Sequence, residues 1–216
     1  MPAHNCPLCR CLTDTEFCRD RRRTYWQCPQ CELVFAEKSF WLCAADEKAE
    51  YDLHENSVVD VRYRQFLNRL AAPLMQRISV PARGLDFGCG PGPALQAMLQ
   101  EVGFEVDVYD IFYAPDPGVF KCGYDFITAT EVVEHLHDPK FELNRLWSML
   151  HPGGYLAIMT KRVQGQAAFA NWHYKNDPTH VCFFSETTFY WLADSWQASV
   201  EFPASDVVLL QKPART

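Results

Sequence analysis

The sequence contains no long apolar run and no excess of positive charge. No segment approaches the roughly 18 consecutive apolar residues of a membrane-spanning helix. The first residues also lack a basic stretch followed by an apolar one, so no secretory signal is predicted. A formal net charge of -7 argues against a surface that binds polyanions over its whole extent. We therefore expect a cytoplasmic protein with no membrane partner, and nucleic acid is disfavoured as a partner.

The 216 residues also contain no internal repeat and no low-complexity tract. Apolar residues make up 48% of the chain and charged residues 22%, which is typical of a protein that can bury a core. Because domains usually hold about 100 to 200 residues, this length suits one domain with a small addition. We predict a four-cysteine module at 1–36, a helical connector at 37–79 and a main α/β domain at 80–216. No feature of the sequence indicates an oligomeric state.

Four of the ten cysteines have a spacing that is typical of a metal site. Cys6 and Cys9 form one Cys-x-x-Cys pair, and Cys28 and Cys31 form a second after an interval of 18 residues. In a reducing compartment this spacing indicates zinc more often than a disulfide. Four thiolates close a tetrahedral shell, which is typical of a structural ion. We predict a zinc-ribbon-like module, with four reduced thiols as the alternative.

The insert between the two cysteine pairs combines basic and aromatic side chains. RNA-binding ribbons use this combination to contact phosphates and bases. The alternative is a solvated ribbon tip whose aromatic rings pack against the next domain. Two further cysteines in the insert leave the exact zinc ligand set open. The residues concerned are Cys11, Cys18, Arg19, Arg21, Arg22, Arg23, Tyr25 and Trp26.

From about residue 83 onward, short apolar runs alternate with helical stretches, which is typical of a parallel sheet built from βαβ units. Asp138 and Ser185 are predicted to cap helices, and Pro139 suits a first helical position. The predicted helices include 93–102 and 139–150. The predicted strands cover 84–87, 105–109, 124–129, 155–160, 199–202 and 207–211.

A glycine-rich turn follows the first of these strands and precedes a helix. Its residues run Asp86-Phe87-Gly88-Cys89-Gly90-Pro91-Gly92. Glycines lack the Cβ atoms that would keep a ligand away from the backbone. The arrangement differs from the dinucleotide fingerprint, which suits a pyrophosphate at a helix N-terminus.

This loop resembles motif I of class I S-adenosylmethionine-dependent methyltransferases. Three further features follow in that family's order: Asp110 ends the second strand, Tyr124 opens the family's fourth, and His151-Pro152-Gly153-Gly154 precedes its fifth. The resemblance covers about residues 80–212. It implies a Rossmann-like sheet with helices on both faces. It also implies that S-adenosylmethionine is the cofactor and that Asp110 accepts from the ribose hydroxyls. The predicted cofactor-binding residues are Asp86, Gly88, Cys89, Gly90, Gly92, Asp110, Thr130 and Glu131.

An acidic-histidine cluster follows the strand that opens at Tyr124. Glu131, Glu134 and His135 would share one helical face at positions i, i+3 and i+4. Two carboxylates and an imidazole suit a divalent metal. Two histidines in the polar segment at 172–181 could complete the site, with His180 preferred and His173 second. We therefore predict Glu131, Glu134, His135 and His180 as the catalytic residues.

This cluster with its distal histidine resembles the Glu-x-x-Glu-His pattern of small-RNA ribose methyltransferases. The Glu-x-x-Glu-His part also resembles ubiquinone-pathway O-methyltransferases, some of which are metal-linked. Either resemblance implies a second divalent metal at Glu131, Glu134, His135 and His180 that lowers the pKa of an acceptor hydroxyl. The alternatives are His135 or His180 as a general base, or a structural wall of the cofactor pocket.

The leading functional interpretation is therefore O-methylation of a small-molecule acceptor, with or without a metal. The first alternative is an RNA methyltransferase whose zinc module grips phosphates, by analogy with ribosomal RNA methyltransferases that carry such modules. The second is a scaffold that binds the cofactor without turnover. The intact glycine loop and Asp110 speak against the scaffold.

Overall fold

The computed structural model of the chain describes residues 3–53 and 57–214. The residues outside these ranges are 1–2 of the predicted module, 54–56 of the predicted connector and 215–216 of the predicted main domain. Within the described ranges, no helix combines the length and the apolar character that crossing a membrane requires.

The N-terminal module consists of short antiparallel strands. β1 pairs with β2, while β3, β4 and β5 follow one another in a second sheet. The turn between β4 and β5 contains Cys28 and Cys31, and the Cys28 N–H donates to the Leu33 carbonyl at 3.0 Å. The second cysteine pair is therefore the tip of a hairpin. The strands are β1 (His4–Asn5), β2 (Leu12–Thr13), β3 (Glu16–Arg19), β4 (Thr24–Gln27) and β5 (Val34–Ala36).

The connector contains a 3-10 turn and two helices. The turn spans Lys38–Phe40, and the helices are α1 (Ala44–Tyr51) and α2 (Val61–Met75). Asp60 caps α2, because its carboxylate accepts from the N–H groups of the second and third helical residues. The apolar side chains of Leu67, Leu70 and Leu74 in α2 are buried against the main sheet. A helical connector was predicted at 37–79.

The main domain contains a six-stranded sheet in the order β11-β12-β9-β8-β6-β7. The four strands from β9 to β7 are parallel. At the other edge, β12 runs antiparallel to β9, and β11 pairs antiparallel with β12, so β11 has the direction of the four parallel strands. The strands are β6 (Arg83–Phe87), β7 (Glu105–Tyr109), β8 (Tyr124–Thr130), β9 (Leu150–Met159), β11 (Ser199–Ala204) and β12 (Val207–Gln211). The short strand β10 (Cys182–Phe183) lies outside this sheet.

Helices cover both faces of the sheet. The helices of this domain are α3 (Ala94–Glu101), α4 (Pro139–Met149), α5 (Gln166–Ala170) and α6 (Glu186–Trp196). Leu156 and Ile158 of β9 face a core shared with α4, α6 and the N-terminal module. Ala157 and Met159 face the opposite core, which α2 and α3 cover. Alternate residues of one buried strand thus serve two cores, and the predicted α/β fold with helices on both faces is confirmed.

The N-terminal sheet is completed by a strand from the distant end of the chain. β10 pairs antiparallel with β5, with Cys182 opposite Phe35 and Phe183 opposite Val34. The strand order of this sheet is β10-β5-β4-β3. The four-cysteine module therefore shares a sheet with the main domain.

One strand boundary differs from the sequence-based expectation. β9 begins at Leu150, five positions before the predicted start, because Leu150 pairs with Tyr124 and a register shift absorbs the Pro-Gly-Gly residues. Between β7 and β8 the described chain forms one bridge, Asp110 with Ala114, and a 3-10 helix at Pro117–Lys121. No regular helix was expected in this segment, because it is short and rich in proline. β7 is consequently the edge strand beside the glycine loop.

Candidate active site

A cleft of about 950 Å³ lies at the carboxyl ends of β6, β7 and β8. This is the edge of a parallel sheet at which α/β proteins bind ligands. Helices α1 and α2 contribute walls through Tyr51 and Tyr63. The predicted cofactor loop and the acidic-histidine cluster line the same cleft, so the two predicted halves of the site are neighbours.

The glycine loop adopts a backbone that other residues would strain. Gly88 and Gly90 have φ angles of +76° and +64°. A Cβ at Gly88 would also lie 2.3 Å from a methyl group of Val132. Glycine is therefore required at position 88 both for its backbone angle and for close packing beneath the cleft.

Asp110 is fixed beside this loop by backbone donors. Its Oδ2 accepts from the Gly90 N–H at 3.1 Å, and its Oδ1 accepts from Phe112 and Tyr113 at 2.8 and 3.1 Å. A carboxylate offers about four acceptor positions, so Oδ2 keeps room for a further donor. Asp110 lines the cleft, so this remaining acceptor position is available to a donor there.

The other predicted cofactor residues lie at different depths. Cys89, Thr130 and Glu131 line the cleft. Asp86 is buried behind the loop, where Thr128 donates to it at 2.8 Å and burial raises its pKa to about 6. Gly92 is also away from the cleft lining, and its carbonyl accepts from Ala94 N–H at 2.7 Å at the start of α3. Asp86 therefore supports the loop from beneath.

The segment after β8 differs from the predicted helix. Glu131 has a φ of +52°, and only Val133–His135 forms a 3-10 turn. The left-handed residue redirects the chain, so Glu131, Glu134 and His135 do not share a helical face. The predicted basis for their convergence was wrong, because Glu131 N–H instead extends the sheet by donating to the Met159 carbonyl at 2.7 Å.

Tyr174 nevertheless joins the two carboxyl groups. Its hydroxyl contacts Oε2 of Glu131 at 3.1 Å and Oε1 of Glu134, and it lies 3.3 Å from the Thr160 hydroxyl. Burial raises the pKa of Glu131 to about 7. Burial together with the Glu131 charge raises the pKa of Glu134 to about 8. Two carboxyl groups are thus held close in a setting that opposes charge on both.

His180 packs into the same cluster from the distal segment. It is 6% exposed, and its ring centroid lies 4.6 Å from that of His135. Its Nδ1 donates to the Tyr174 carbonyl at 2.7 Å, which leaves Nε2 as the acceptor or ligand atom. Burial lowers the pKa of His180 to about 4, so the ring is neutral near pH 7. His173 is exposed, with Nε2 3.2 Å from the Lys161 ammonium.

Three of the four predicted catalytic residues can present ligand atoms to one point. Atoms of Glu134, His135 and His180 all lie within 4.8 Å of one another. Oε2 of the fully buried Glu134 has no hydrogen-bond partner among the described residues. Two imidazoles and one carboxylate form a donor set that fits Zn²⁺, Fe²⁺ or Mn²⁺. Glu131 is outside this group of ligand atoms, and its Oε2 is joined to Glu134 by the Tyr174 hydroxyl.

Two residues of the site were not among the predicted site residues. Tyr174 bridges the carboxyl groups, and Asp177 lies with its Oδ2 3.8 Å from Nε2 of His180. Although burial opposes it, a hydrogen bond from Thr179 and the nearby imidazole lower the pKa of Asp177. The only sequence signal for these two residues was their position near His180 in a polar segment. Neither residue type has a spacing that indicates such a role.

The four predicted zinc ligands converge in the N-terminal module. Sγ of Cys6 lies 3.6 Å from that of Cys31, and Sγ of Cys9 lies 3.3 Å from that of Cys28. A tetrahedral ion with bonds of about 2.3 Å would set its sulfurs about 3.8 Å apart. The cluster could therefore hold zinc.

The basic-aromatic insert is divided between surface and core, because Arg21 and Arg22 are exposed while Arg23 and the aromatic residues are buried. Arg23 is 7% exposed, while Tyr25 and Trp26 are 1% and 3% exposed. Arg19 forms an exposed ion pair with Glu16 at 2.7 Å. Neither buried ring is available to stack on a base, which agrees with the alternative in which the aromatic residues pack against the next domain.

The fold and the cleft together define a class I S-adenosylmethionine-dependent methyltransferase. A family model described as a methyltransferase domain matches residues 56–200, which is more than half of the chain. The chain belongs to this family, and the resemblance found in its motifs is confirmed.

Relatives with similar sequences include ubiquinone biosynthesis O-methyltransferases. That of Klebsiella pneumoniae strain 342 is 26% identical over 98 residues, which cover 45% of this chain and 40% of the relative. That of Shewanella pealeana is 28% identical over 86 residues, which cover 40% and 36%. This chain thus covers less than half the length of the curated relatives that it matches.

Solved structures extend the similarity to more of the chain. A 1,6-didemethyltoxoflavin-N1-methyltransferase from Burkholderia thailandensis covers 92% of this chain and 99% of its own, with a TM-score of 0.51 and 16% identity. An O-methyltransferase family protein from the same organism covers 79% and 64%, with a TM-score of 0.50 and 13% identity. At these identities the likeness establishes the fold alone.

Proposed function

We propose that the protein transfers the methyl group of S-adenosylmethionine to a hydroxyl oxygen of a small-molecule acceptor. The observation that carries this proposal is the placement of Glu131, His135 and His180 in the same cleft as the glycine loop. The similarity to O-methyltransferases over 98 residues supports oxygen as the acceptor atom. The cleft of about 950 Å³ suits a cofactor together with a small acceptor.

The cofactor would lie along the glycine loop. Gly88, Cys89 and Gly90 would face its methionine part, and Asp110 would accept from a ribose hydroxyl through Oδ2. Thr130 and Glu131 extend the same wall towards the acceptor. Asp86 and Gly92 would act indirectly by fixing the loop from beneath.

Methyl transfer to oxygen is a direct displacement. The acceptor oxygen forms a bond to the methyl carbon, the carbon–sulfur bond breaks, and S-adenosylhomocysteine leaves with the electron pair. The hydroxyl proton must also leave, so alignment and proton removal are the protein's contributions. Glu131 lines the cleft and would receive that proton, whereas Glu134 is fully buried. His135 also lines the cleft and would receive the proton only in a site without a metal.

We further propose a divalent metal at Glu134, His135 and His180. Such an ion would lower the pKa of the acceptor hydroxyl. The convergence of the ligand atoms and the unpartnered buried Oε2 of Glu134 support this site. The hydrogen bond from Nδ1 of His180 to a carbonyl is the outer contact that orients a ligating histidine.

A structural zinc at Cys6, Cys9, Cys28 and Cys31 completes the proposal. All ten cysteines are free of disulfides, which supports a reducing, cytoplasmic location. A closed four-thiolate shell leaves no position for substrate, so this ion would act on the fold.

The test is an assay with trideuteromethyl S-adenosylmethionine. Catechols, simple phenols, aliphatic alcohols, amines and a structured RNA are each incubated with the purified protein, and product masses are read by mass spectrometry. We expect the label on a hydroxyl oxygen. Label on nitrogen or carbon contradicts O-methylation, and label on RNA alone favours the RNA alternative. S-adenosylhomocysteine binding without turnover on any acceptor favours the scaffold.

A further inference from the structure

Residues 174–180, here called the distal loop, carry two groups of the candidate site. The Tyr174 hydroxyl bridges Glu131 and Glu134, and the His180 ring packs on His135. The contacts that hold the backbone of this loop come largely from the N-terminal module, more than 140 positions earlier in the chain.

One buried guanidinium binds the carbonyl groups of the distal loop. Arg23 is 7% exposed, and both of its terminal nitrogens donate to the loop. Tyr25, two residues later, donates its hydroxyl to the Lys175 carbonyl at 3.2 Å. The carbonyls that accept from Arg23 are those of Lys175, Asp177 at 2.8 Å, Pro178 at 3.4 Å and His180 at 2.8 Å.

A buried ion pair makes a second connection. The Lys175 ammonium bonds to Oδ2 of Asp20, and Lys175 is only 4% exposed. Oδ1 of Asp20 accepts from the N–H groups of Arg22 and Arg23 at 2.8 and 2.9 Å. Although burial opposes it, these contacts lower the pKa of Asp20 to about 2. Because an unpaired buried ammonium is costly, Lys175 favours a loop that stays against the module.

The hairpin of β4 and β5 connects the distal loop to the four-cysteine cluster. Arg23 directly precedes β4, β4 ends just before Cys28, and β5 pairs with β10 two residues beyond His180. Between His180 and β10, the Val181 N–H donates to the Glu134 carbonyl at 2.8 Å. Anything that loosens the hairpin would therefore displace Tyr174 and His180 together.

We propose that Arg23 is a positioning residue for the acceptor side of the site, and that the four-cysteine module is an integral part of the active site. This inference rests on the proposed function in one respect, namely that the distal loop faces the acceptor. The glycine loop and Asp110 receive none of the contacts described for Arg23. Loosening the module should consequently impair methyl transfer while leaving cofactor binding intact.

The test compares Arg23→Ala and Arg23→Lys with Arg21→Ala, whose exposed side chain makes a matched control. Hydrogen exchange is followed by mass spectrometry on peptides that cover 174–183. Exchange should accelerate by about 10-fold or more in Arg23→Ala, because a charged donor to several carbonyls is lost. Arg23→Lys should give an intermediate rate, and Arg21→Ala should match the wild type. Affinity for S-adenosylhomocysteine should stay within about 2-fold, since Asp110 keeps its contacts.

Unchanged exchange of the distal loop in Arg23→Ala overturns the proposal. Equal acceleration of peptides from β8 also overturns it, because Arg23 would then serve only overall stability. Neither readout needs an acceptor, so loop acceleration without O-methylation would reject the proposed function and still support the positioning role. With an acceptor identified, Arg23→Ala should lower kcat at an unchanged KM for the cofactor, and Arg23→Lys should restore part of kcat. Equal kcat in Arg23→Ala and wild type contradicts the role.

Discussion

The backbone carbonyl of Tyr174 accepts a hydrogen bond from Nδ1 of His180 at 2.7 Å. Because a carbonyl can only accept, the proton lies on Nδ1 and the lone pair lies on Nε2. The Tyr174 hydroxyl meanwhile contacts Glu131 and Glu134. One residue therefore sets the tautomer of the distal histidine and joins the two carboxyl groups.

We predict that His180→Ala lowers the rate of methyl transfer by about 100-fold, the scale on which a positioned acid, base or ligand contributes. Affinity for S-adenosylhomocysteine should not change, because His180 is not part of the glycine loop. Product formation by mass spectrometry and cofactor titration by calorimetry measure the two effects. Mn²⁺ binding, followed by calorimetry, should be lost in the same variant.

His173→Ala is the matched control for this prediction, since His173 is the other distal histidine and its side chain is exposed. It should retain wild-type activity and Mn²⁺ binding. A larger loss of activity in His173→Ala than in His180→Ala would reverse the assignment of the two histidines.

We predict that Asp110→Ala weakens S-adenosylmethionine binding by about 10-fold or more, since a charge-assisted hydrogen bond to ribose is removed. The loop would also lose the acceptor that holds the Gly90 N–H. Calorimetric titration with the cofactor measures the change. Asp194→Ala, at an exposed position on α6, controls for the loss of one charge. An unchanged dissociation constant in Asp110→Ala would refute the ribose role.

Much of the main sheet could be predicted because its signals are local. The bounds of β7 and β12 agree with the predicted strands, and Asp138 and Ser185 cap their helices through side-chain acceptors. Neighbouring residues alone are enough to predict a strand that lies between turns, or a helix whose polar cap precedes an apolar run. The glycine loop was recognisable for the same reason.

The side of the site formed by the distal loop was less predictable because it depends on distant contacts. The pairing of β5 with β10 and the bonds from Arg23 to the distal loop join segments with no periodic pattern in common. An arginine run also has the composition of a solvated tip, so the burial of Arg23 within that run could not be read from charge. Glu131 has a positive φ that its residue type does not indicate.

We predict one zinc ion per chain, bound by the two cysteine pairs. Mass spectrometric metal analysis of Cys28→Ser/Cys31→Ser should show that this zinc is lost, because two of four thiolates are removed. Cys11→Ser/Cys18→Ser is the control, because both cysteines lie between the two pairs. This variant should retain its zinc if Cys11 and Cys18 are not ligands. Full zinc occupancy in the first variant would place the ion elsewhere.

The final prediction concerns the buried carboxyl group beneath the cofactor loop. Burial raises the pKa of Asp86 to about 6, while Thr128 donates to it at 2.8 Å. In the unfolded chain an aspartate has a pKa of about 3.9. As the pH rises between these values, the unfolded chain releases its proton first, so the free energy of unfolding falls. The stabilisation is thus present below about pH 4 and lost by about pH 6, with a total of roughly 3 kcal/mol.

Asp86→Asn keeps an oxygen that accepts from Thr128 but removes the carboxyl group that titrates. Its free energy of unfolding, relative to wild type, should therefore increase as the pH is raised towards 6 and then stay level up to pH 8. Urea unfolding at steps of half a pH unit from about pH 4.5 to 8 measures this difference. Asp194→Asn controls for the loss of one negative charge at an exposed position. A difference between Asp86→Asn and wild type that stays constant across this range would show that Asp86 does not titrate there in the folded protein.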